Sequence, residues 1–300
     1  MNVIITGASG FVGKNLTEYL RQKDNQIISL SLRNEDWKSD FPANADAVIH
    51  LAGKAHDTSN TSDDNEYYKI NRDLTIELFN EFLNSEINQF FYFSSVKAAA
   101  DRVEHILTEE VDADPYTPYG KSKREAEEYI LNQSLPANKK VYVIRPCMIH
   151  GPGNKGNLNL LYKIVKKGLP WPLTAFENKR SFLSIDNLNF LIGQMLINEN
   201  LSSGIYNFAD DSAISTNELI KTINHAVGKK AKLWNISKTM IEKVAKLGDK
   251  LHLPLNSERL KKLTESYIVS NQKIKNELKI ESLPVSVQEG LIKTVQSFNI

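Results

Sequence analysis

TGASGFVG, residues 6–13, spaces glycines at 7, 10 and 13 between two apolar runs of different period. The run before it, NVIIT (2–6), is short and β-branched and reads as a buried strand. The run after it, FVGKNLTEYLRQ (11–22), sets Val12, Leu16, Tyr19 and Leu20 on one helical face. Between a strand and a helix, each glycine has a separate reason. Gly7 permits the tight turn, Gly10 lets backbone approach a pyrophosphate, and Gly13 lets the helix pack on the strand. The helix entrance adds free N–H groups and a partial positive charge. The pattern predicts a dinucleotide cradle formed by Gly7, Ser9, Gly10, Phe11, Val12 and Gly13.

Outward from the cradle, strand and helix alternate. QIISLSL (26–32), DAVIHLAG (46–53), FFYFSS (90–95), KVYVIRP (140–146) and GIYNFAD (204–210) read as strands, and 65–85 and 122–133 as helices. This order predicts an α/β fold, a doubly wound parallel sheet with helices on both faces. The texture changes after Gly151. The expected division is a dinucleotide-binding domain over 1–150 plus 183–210, and a smaller, mostly helical substrate domain over 151–182 plus 211–300.

Composition narrows the function classes. The chain has 300 residues and a net charge of +1, so no global field recruits nucleic acid or an anionic surface. The single Cys147 fits a reducing compartment. MNVIITGASG lacks a signal-peptide pattern. No apolar run approaches the ~18 residues of a membrane span. A soluble cytoplasmic protein without integral membrane contact is expected. The six histidines (50, 56, 105, 150, 225, 252) show no metal-ligand spacing, so no metal site is expected.

The second strand bears on which dinucleotide binds. NAD sites usually place an Asp or Glu at its end, on the ribose hydroxyls. Here Ser31 takes that place and Arg33 follows. A carboxylate repels a 2′-phosphate, whereas Ser and Arg hold one by charge-assisted bonds. NADP(H) is favoured and NAD(H) is the alternative, in which Glu35 or Asp36 contacts the ribose.

TPYGKSK (117–123) puts a Tyr and a Lys one turn apart at a helix entrance. A free phenol, with a pKa of about 10, is a poor base at neutral pH. Lys123 on the same face is expected to favour the phenolate of Tyr119 and make it a proton shuttle. Ser94 and Ser95, ending the strand FFYFSS, supply hydroxyls at the sheet rim where such folds bind ligands.

Together these motifs resemble the extended short-chain dehydrogenase/reductase family, in its nucleotide-sugar branch, across nearly the whole chain. AVIHLAG resembles the family segment that sets Leu51, Ala52 and Gly53 beside the cofactor. INRDLT resembles its Asn-bearing helix, which assigns Asn71. YFSSV assigns the catalytic Ser to Ser95, with Ser94 by the cofactor, and Tyr119 and Lys123 complete the triad. VIRPCMIHGPG resembles the segment flanking the nicotinamide, which places Pro146 and Met148 there. GNLNLL and ENKRSFLSIDNL resemble the substrate segment, implying Asn157 on the sugar nucleotide and Arg180 on its diphosphate, with Asp186 as an alternative ion-pair partner for Arg180. Val96 and Lys97 would also line the substrate.

The resemblance implies hydride transfer at C4 of a UDP-linked hexose or N-acetylhexosamine for surface polysaccharide, and a homodimer through 65–85 and 122–133. A 4-keto reductase is slightly favoured over a 4-epimerase with retained NAD. A non-catalytic NADP-sensing module is a further alternative. Three features depart from the family pattern. About thirteen residues separate the second strand from DAVIHLAG, too few for the usual further strand and helix. Met148 stands where an Asn is common. Val96 and Lys97 replace the acidic pair of the dehydratases, which argues against 4,6-dehydration. KVAKLGDKLHLPLNSERLKKL is basic and amphipathic. It reads as a small-domain helix with a solvated basic face, or as a contact for a membrane surface or a glycosyltransferase.

Overall fold

The computed structural model describes residues 1–42, 44–55, 63–154, 158–251 and 256–299. The chain begins β1 (Asn2–Thr6), α1 (Phe11–Arg21), β2 (Gln26–Leu30) and β3 (Ala47–His50). Next come α2 (Asp64–Tyr67), a π-helical turn (Tyr68–Asp73), α3 (Leu74–Leu83), β4 (Gln89–Phe93), a 3-10 turn (Val96–Ala98), β5 (Ile106–Leu107), α4 (Pro118–Leu131) and β6 (Lys140–Pro146). Then follow β7 (Met148–His150), α5 (Leu158–Lys166), β8 (Phe182–Ser184), α6 (Ile185–Ile197), β9 (Gly204–Phe208), α7 (Thr216–Ala226) and α8 (Lys238–Leu251). The chain closes with α9 (Ser257–Thr264), β10 (Ile268–Val269), α10 (Gln272–Leu278) and α11 (Val287–Gln296).

Six strands form one sheet in the order β2-β1-β3-β4-β6-β9, and every pairing is parallel. β3 is buried at all four positions, as a parallel strand covered on both faces must be. One face carries Leu16 and Leu20 of α1 with Leu188, Leu191, Ile192 and Met195 of α6. The other carries Leu78, Phe79 and Phe82 of α3 with Ala126 and Ile130 of α4. Thr6, Leu30 and His50 stand abreast in the register, so the cradle and the segment after β3 share one rim. This is the carboxyl rim where ligands of such sheets bind.

β2 is the sheet edge. Among its described residues, the connection from β2 to β3 holds turns rather than a further strand, and Trp37 from it, 3% exposed, packs with Ile4, Leu30, Val48 and Phe79. The flank of α1 stays open as a cleft of about 790 Å³, lined by Ala8, Ser9, Lys14, Thr17, Glu18, Arg21, Gln22 and Ser29.

A separate apolar cluster joins Leu158, Tyr162, Trp171 and Phe182 to Leu219, Ile223, Ile241, Ala245 and Leu291. Tyr267, Val269, Ile274 and Leu283 pack instead with the sheet-side cluster. The segment 267–283 therefore returns to the sheet within the stretch expected to belong wholly to the small domain.

Several local expectations shift. α4 begins at Pro118, because the Thr117 hydroxyl accepts from the Gly120 N–H (3.2 Å) and Pro suits the first helical position. The helix expected over 65–85 has a π turn in its middle, centred on Asn71. Ser94 and Ser95 lie just past β4 rather than in it. Asn157, His56 and His252 lie outside the described residues.

A Cβ on Gly13 would stand 2.3 Å from the Gly7 carbonyl oxygen and 2.6 Å from the Ala8 Cα. Both neighbours are backbone and cannot step aside. Gly13→Ala is expected to lower stability by about 3 kcal/mol, read as a fall in the urea midpoint.

Candidate active site

Gly7 is held at φ +70°, and a Cβ there would meet the Ala52 nitrogen at 2.7 Å. The turn after β1 and the segment after β3 are thus in backbone contact. Gly10, the first residue before α1, is exposed, and an added Cβ would meet only the Gly7 carbonyl, at 3.3 Å. No side chain caps the first turn of α1 and no acidic residue lies in it. These are the conditions a pyrophosphate needs: approachable backbone, unclaimed N–H donors and no competing anion. The residues present fit a dinucleotide.

Behind the cradle runs a buried chain of hydroxyls. The Thr6 hydroxyl accepts from the Ala52 N–H (3.2 Å) and meets His50 Nδ1 at 2.7 Å. His50 Nε2 lies 2.9 Å from the Thr75 hydroxyl, which donates to the Asn71 carbonyl (2.9 Å). Burial, with Lys123 nearby, lowers the His50 pKa to about 3, so the imidazole is neutral. His50 is a structural relay, and it ties the cradle strand to the π turn. The wide turn presents the Asn71 carbonyl to the Tyr92 hydroxyl as well (3.3 Å). The Asn71 side chain accepts from the Lys54 N–H (2.8 Å) and donates to the Lys54 carbonyl (3.1 Å). A Cβ on Gly53 would lie 3.0 Å from Asn71 Oδ1 and 3.2 Å from Lys123 Nζ, so these three residues converge.

Ser95, Tyr119 and Lys123 come together at the rim beyond β4. The Ser95 hydroxyl accepts from the Lys97 N–H (3.2 Å) and lies close enough to the Tyr119 phenol to influence it. The half-buried Tyr119 ring also meets Tyr67 edge-on, with centroids 6.0 Å apart. The electrostatics depart from the sequence expectation. Burial raises the Tyr119 pKa above its ordinary value, and the Ser95 hydrogen bond opposes that rise. The Lys123 ammonium is directed elsewhere: it donates to the Phe93 carbonyl (2.9 Å) and sits 4.9 Å from the Tyr92 ring centroid. Burial lowers Lys123 itself to about 8, and Glu127, one turn further along α4, opposes that fall.

Glu127 was not singled out from the sequence. It is fully buried and takes two bonds from Arg145, Nε to Oε1 at 2.9 Å and Nη2 to Oε2 at 2.5 Å. It also accepts from the Ser94 hydroxyl at 2.5 Å. The Ser94 hydroxyl, expected beside the cofactor, is therefore engaged inside the protein. The i, i+4 spacing from Lys123 and the Arg of VIRP were the available signals, but helix-surface pairs share that spacing.

On the substrate side, Val96 is buried in the 3-10 turn. Lys97 donates to the Asp101 carbonyl (2.7 Å) and lies over the Tyr267 ring at 4.5 Å. Arg180 donates to the Lys262 carbonyl. Asp186 pairs with Lys293 (2.7 Å), not with Arg180. Burial lowers the pKa of both Lys97 and Arg180; Arg180 adds to the fall at Lys97, while Asp101 and Glu265 oppose it there and Glu265 opposes it at Arg180. Tyr267, also missed in the sequence, donates to the Ala100 carbonyl (2.6 Å) and so fixes the loop after Ser95. Asp101 accepts from the Tyr116 N–H (2.9 Å) and Thr117 N–H (3.1 Å), which sets the entrance to α4. Ser31 and Arg33 are both exposed just past β2, as are Glu35 and Asp36. Pro146 ends β6, opposite Phe208, and Met148 is 37% exposed.

The model of the NAD dependent epimerase/dehydratase family matches residues 3–209. The chain belongs to that family. It is 28% identical to a UDP-glucose 4-epimerase of Vibrio cholerae, over 99% of this chain and 95% of the relative. It is 32% identical to a GDP-6-deoxy-D-mannose reductase of Pseudomonas aeruginosa, over 51% of this chain and 54% of the relative. The structure of a UDP-N-acetylglucosamine 4-epimerase from Bacillus cereus shares the fold, with a TM-score of 0.77 at 21% identity over 99% of both chains. Other structures of this fold hold NAD or NADPH. The chain is an enzyme of this family, built for a nicotinamide cofactor. Among the described residues no cluster of His, Cys, Asp and Glu suits a metal ion, and no helix is long and apolar enough to cross a membrane.

The lowered Lys123 pKa has a signed consequence. An unfolded Lys keeps its proton to about 10.5, and the folded one releases it near 8. Between those values the unfolded state binds more protons, so stability rises with pH across that window. Lys123→Met is expected to lack this gain, on the order of 2 kcal/mol, in urea midpoints measured at the two ends of the window.

Proposed function

We propose that this enzyme transfers hydride at C4 of a UDP-linked hexose or N-acetylhexosamine, with NADP(H), in the direction of 4-keto reduction. The observation that carries the reading is that Lys123, one turn after Tyr119 on α4, bonds the Phe93 carbonyl two residues before Ser95, at the rim shared with the uncapped first turn of α1. When bound, the nicotinamide supplies the hydride. Ser95 donates to the sugar oxygen and polarises it. Tyr119 gives the proton to that oxygen at its phenol, or takes it in reverse. Lys123 holds positive charge beside the ribose, and the Phe93 carbonyl fixes where its ammonium stands. Arg180, with Lys97 nearby, receives the diphosphate; Asn157, outside the described residues, is assigned to the sugar nucleotide. Val96 closes against the sugar.

The cofactor preference rests on the end of β2. Ser31 directly follows Leu30, and Arg33 is exposed with no ion-pair partner among the described residues. No carboxylate occupies the first position past the strand. Ser9, Leu51, Ala52, Pro146 and Met148 complete the cofactor contacts in this reading. The substrate domain is drawn from 151–182 and 211–300, apart from 267–283, which packs on the sheet side; two copies pair through the helices within 65–85 and 122–133, and the reaction belongs to cytoplasmic synthesis of surface-polysaccharide precursors. A second reading, a 4-epimerase with retained NAD, is supported by the end-to-end match to the V. cholerae epimerase.

The test is turnover of a UDP-4-keto-hexosamine by the purified chain. NADPH consumption is expected, and Tyr119→Phe should lower it by roughly 10²–10⁴-fold with NADPH binding intact. Undiminished turnover in that variant removes the catalytic assignment. UDP-sugar interconversion by enzyme that purifies with NAD, needing none added, would establish the epimerase instead. Arg33→Ala is expected to raise the KM for NADPH about tenfold and leave that for NADH unchanged; equal effects on both would overturn the 2′-phosphate role.

A further inference from the structure

α8 carries two apolar faces. Ile241 and Ala245 are buried in the second cluster, and Gly248 is buried on the same face. Met240, Val244, Leu247 and Leu251 are 58%, 45%, 52% and 58% exposed. They recur at i, i+4, i+7 and i+11, one continuous stripe about 16 Å long at 1.5 Å per residue. Large side chains are not normally left in water as a row. Lys243, Lys246 and Lys250 follow the same spacing and border the stripe on the side away from the core. The acids of the helix lie beyond that lysine row. One of them, Asp249, is occupied in accepting from the Ser257 N–H (2.9 Å) and hydroxyl (2.5 Å), which fastens α9 to α8.

We propose that this face of α8 docks on an anionic membrane surface, with the stripe entering the headgroup boundary and the lysine row on the phosphates. Charge decides the occupant. A second copy of the same face brings lysines to lysines, with no acidic row to meet them. A layer of anionic headgroups satisfies the lysines and offers apolar depth to the stripe together. Lysine stems can lie along the apolar boundary while their ammonium groups stay in the headgroup layer. The contact needs no helix that spans the bilayer. It also bears on the site, because α9, fastened to α8, supplies the Lys262 carbonyl that holds Arg180. Docking would place the basic end of the active site near the membrane surface. The proposal goes beyond the chemistry assigned above and is tested without it.

The test is flotation of the full chain with vesicles of roughly three parts phosphatidylethanolamine to one of phosphatidylglycerol, against vesicles of phosphatidylcholine alone. The chain is expected to float with the first, to lose binding as salt is raised, and to remain behind with the second. Lys243→Gln/Lys246→Gln/Lys250→Gln should weaken binding on the order of 100-fold. Met240→Ser/Val244→Ser/Leu247→Ser/Leu251→Ser should abolish it, with thermal unfolding and lipid-free turnover unchanged. The idea fails if the chain ignores anionic vesicles or if the serine variant floats like wild type. It fails equally if that variant merely splits a dimer, which would make the stripe a contact between copies.

Discussion

Glu127 and Arg145 form the contact on which the site is built. Both charges are removed from water, with Glu127 fully buried and Arg145 1% exposed. Such a pair adds little net stability, but losing one partner leaves a buried charge uncompensated, at about 3–5 kcal/mol. Its value here is placement. The carboxylate sits on α4, the guanidinium on β6, and Ser94 at the end of β4 donates into the same carboxylate. A helix and two neighbouring strands are therefore fixed at the point where Ser95, Tyr119 and Lys123 must meet. The same negative charge lies one turn from Lys123 and supports its proton against the pull of burial.

A second network organises the cofactor side without any net charge. From the Ala52 N–H through Thr6, His50 and Thr75 to the Asn71 carbonyl, every member is a neutral hydrogen-bonding group. The π turn matters because it presents one carbonyl to two hydroxyls, those of Thr75 and Tyr92. Local widening of this kind often marks a functional position in a helix. Here it brings the Asn71 amide to the backbone of Lys54 and, through Gly53, to the edge of Lys123. The two networks meet at Lys123, which lowers His50 and is in turn supported by Glu127.

The substrate side is basic and carried by backbone acceptors. Lys97 and Arg180 hold carbonyls of Asp101 and Lys262, not carboxylates. Asp101 and Glu265 nevertheless favour the Lys97 charge, and Glu265 that of Arg180, against the pull of burial. Tyr267 supports this arrangement from the segment that returns to the sheet, with its hydroxyl on the loop after Ser95 and its ring under Lys97.

The sequence by itself determined the parallel α/β architecture and the glycine turn between strand and helix at 6–13, and it singled out Ser95, Tyr119 and Lys123, which lie at one rim of the sheet. Those features are local: glycine spacing, the period of apolar residues and an i, i+4 pair are written in neighbouring positions. The short link after β2 was legible too, since its length leaves no room for another strand and helix. Tertiary structure alone decided which partner each charged group takes. Lys123 turns to the Phe93 carbonyl, Ser94 turns inward to Glu127, and Arg145 pairs with a residue 18 positions away. It also decided that burial, more than a neighbouring ammonium, sets the resting state of Tyr119. Desolvation depends on everything that packs around a group, and that surrounding is assembled from segments distant in the chain.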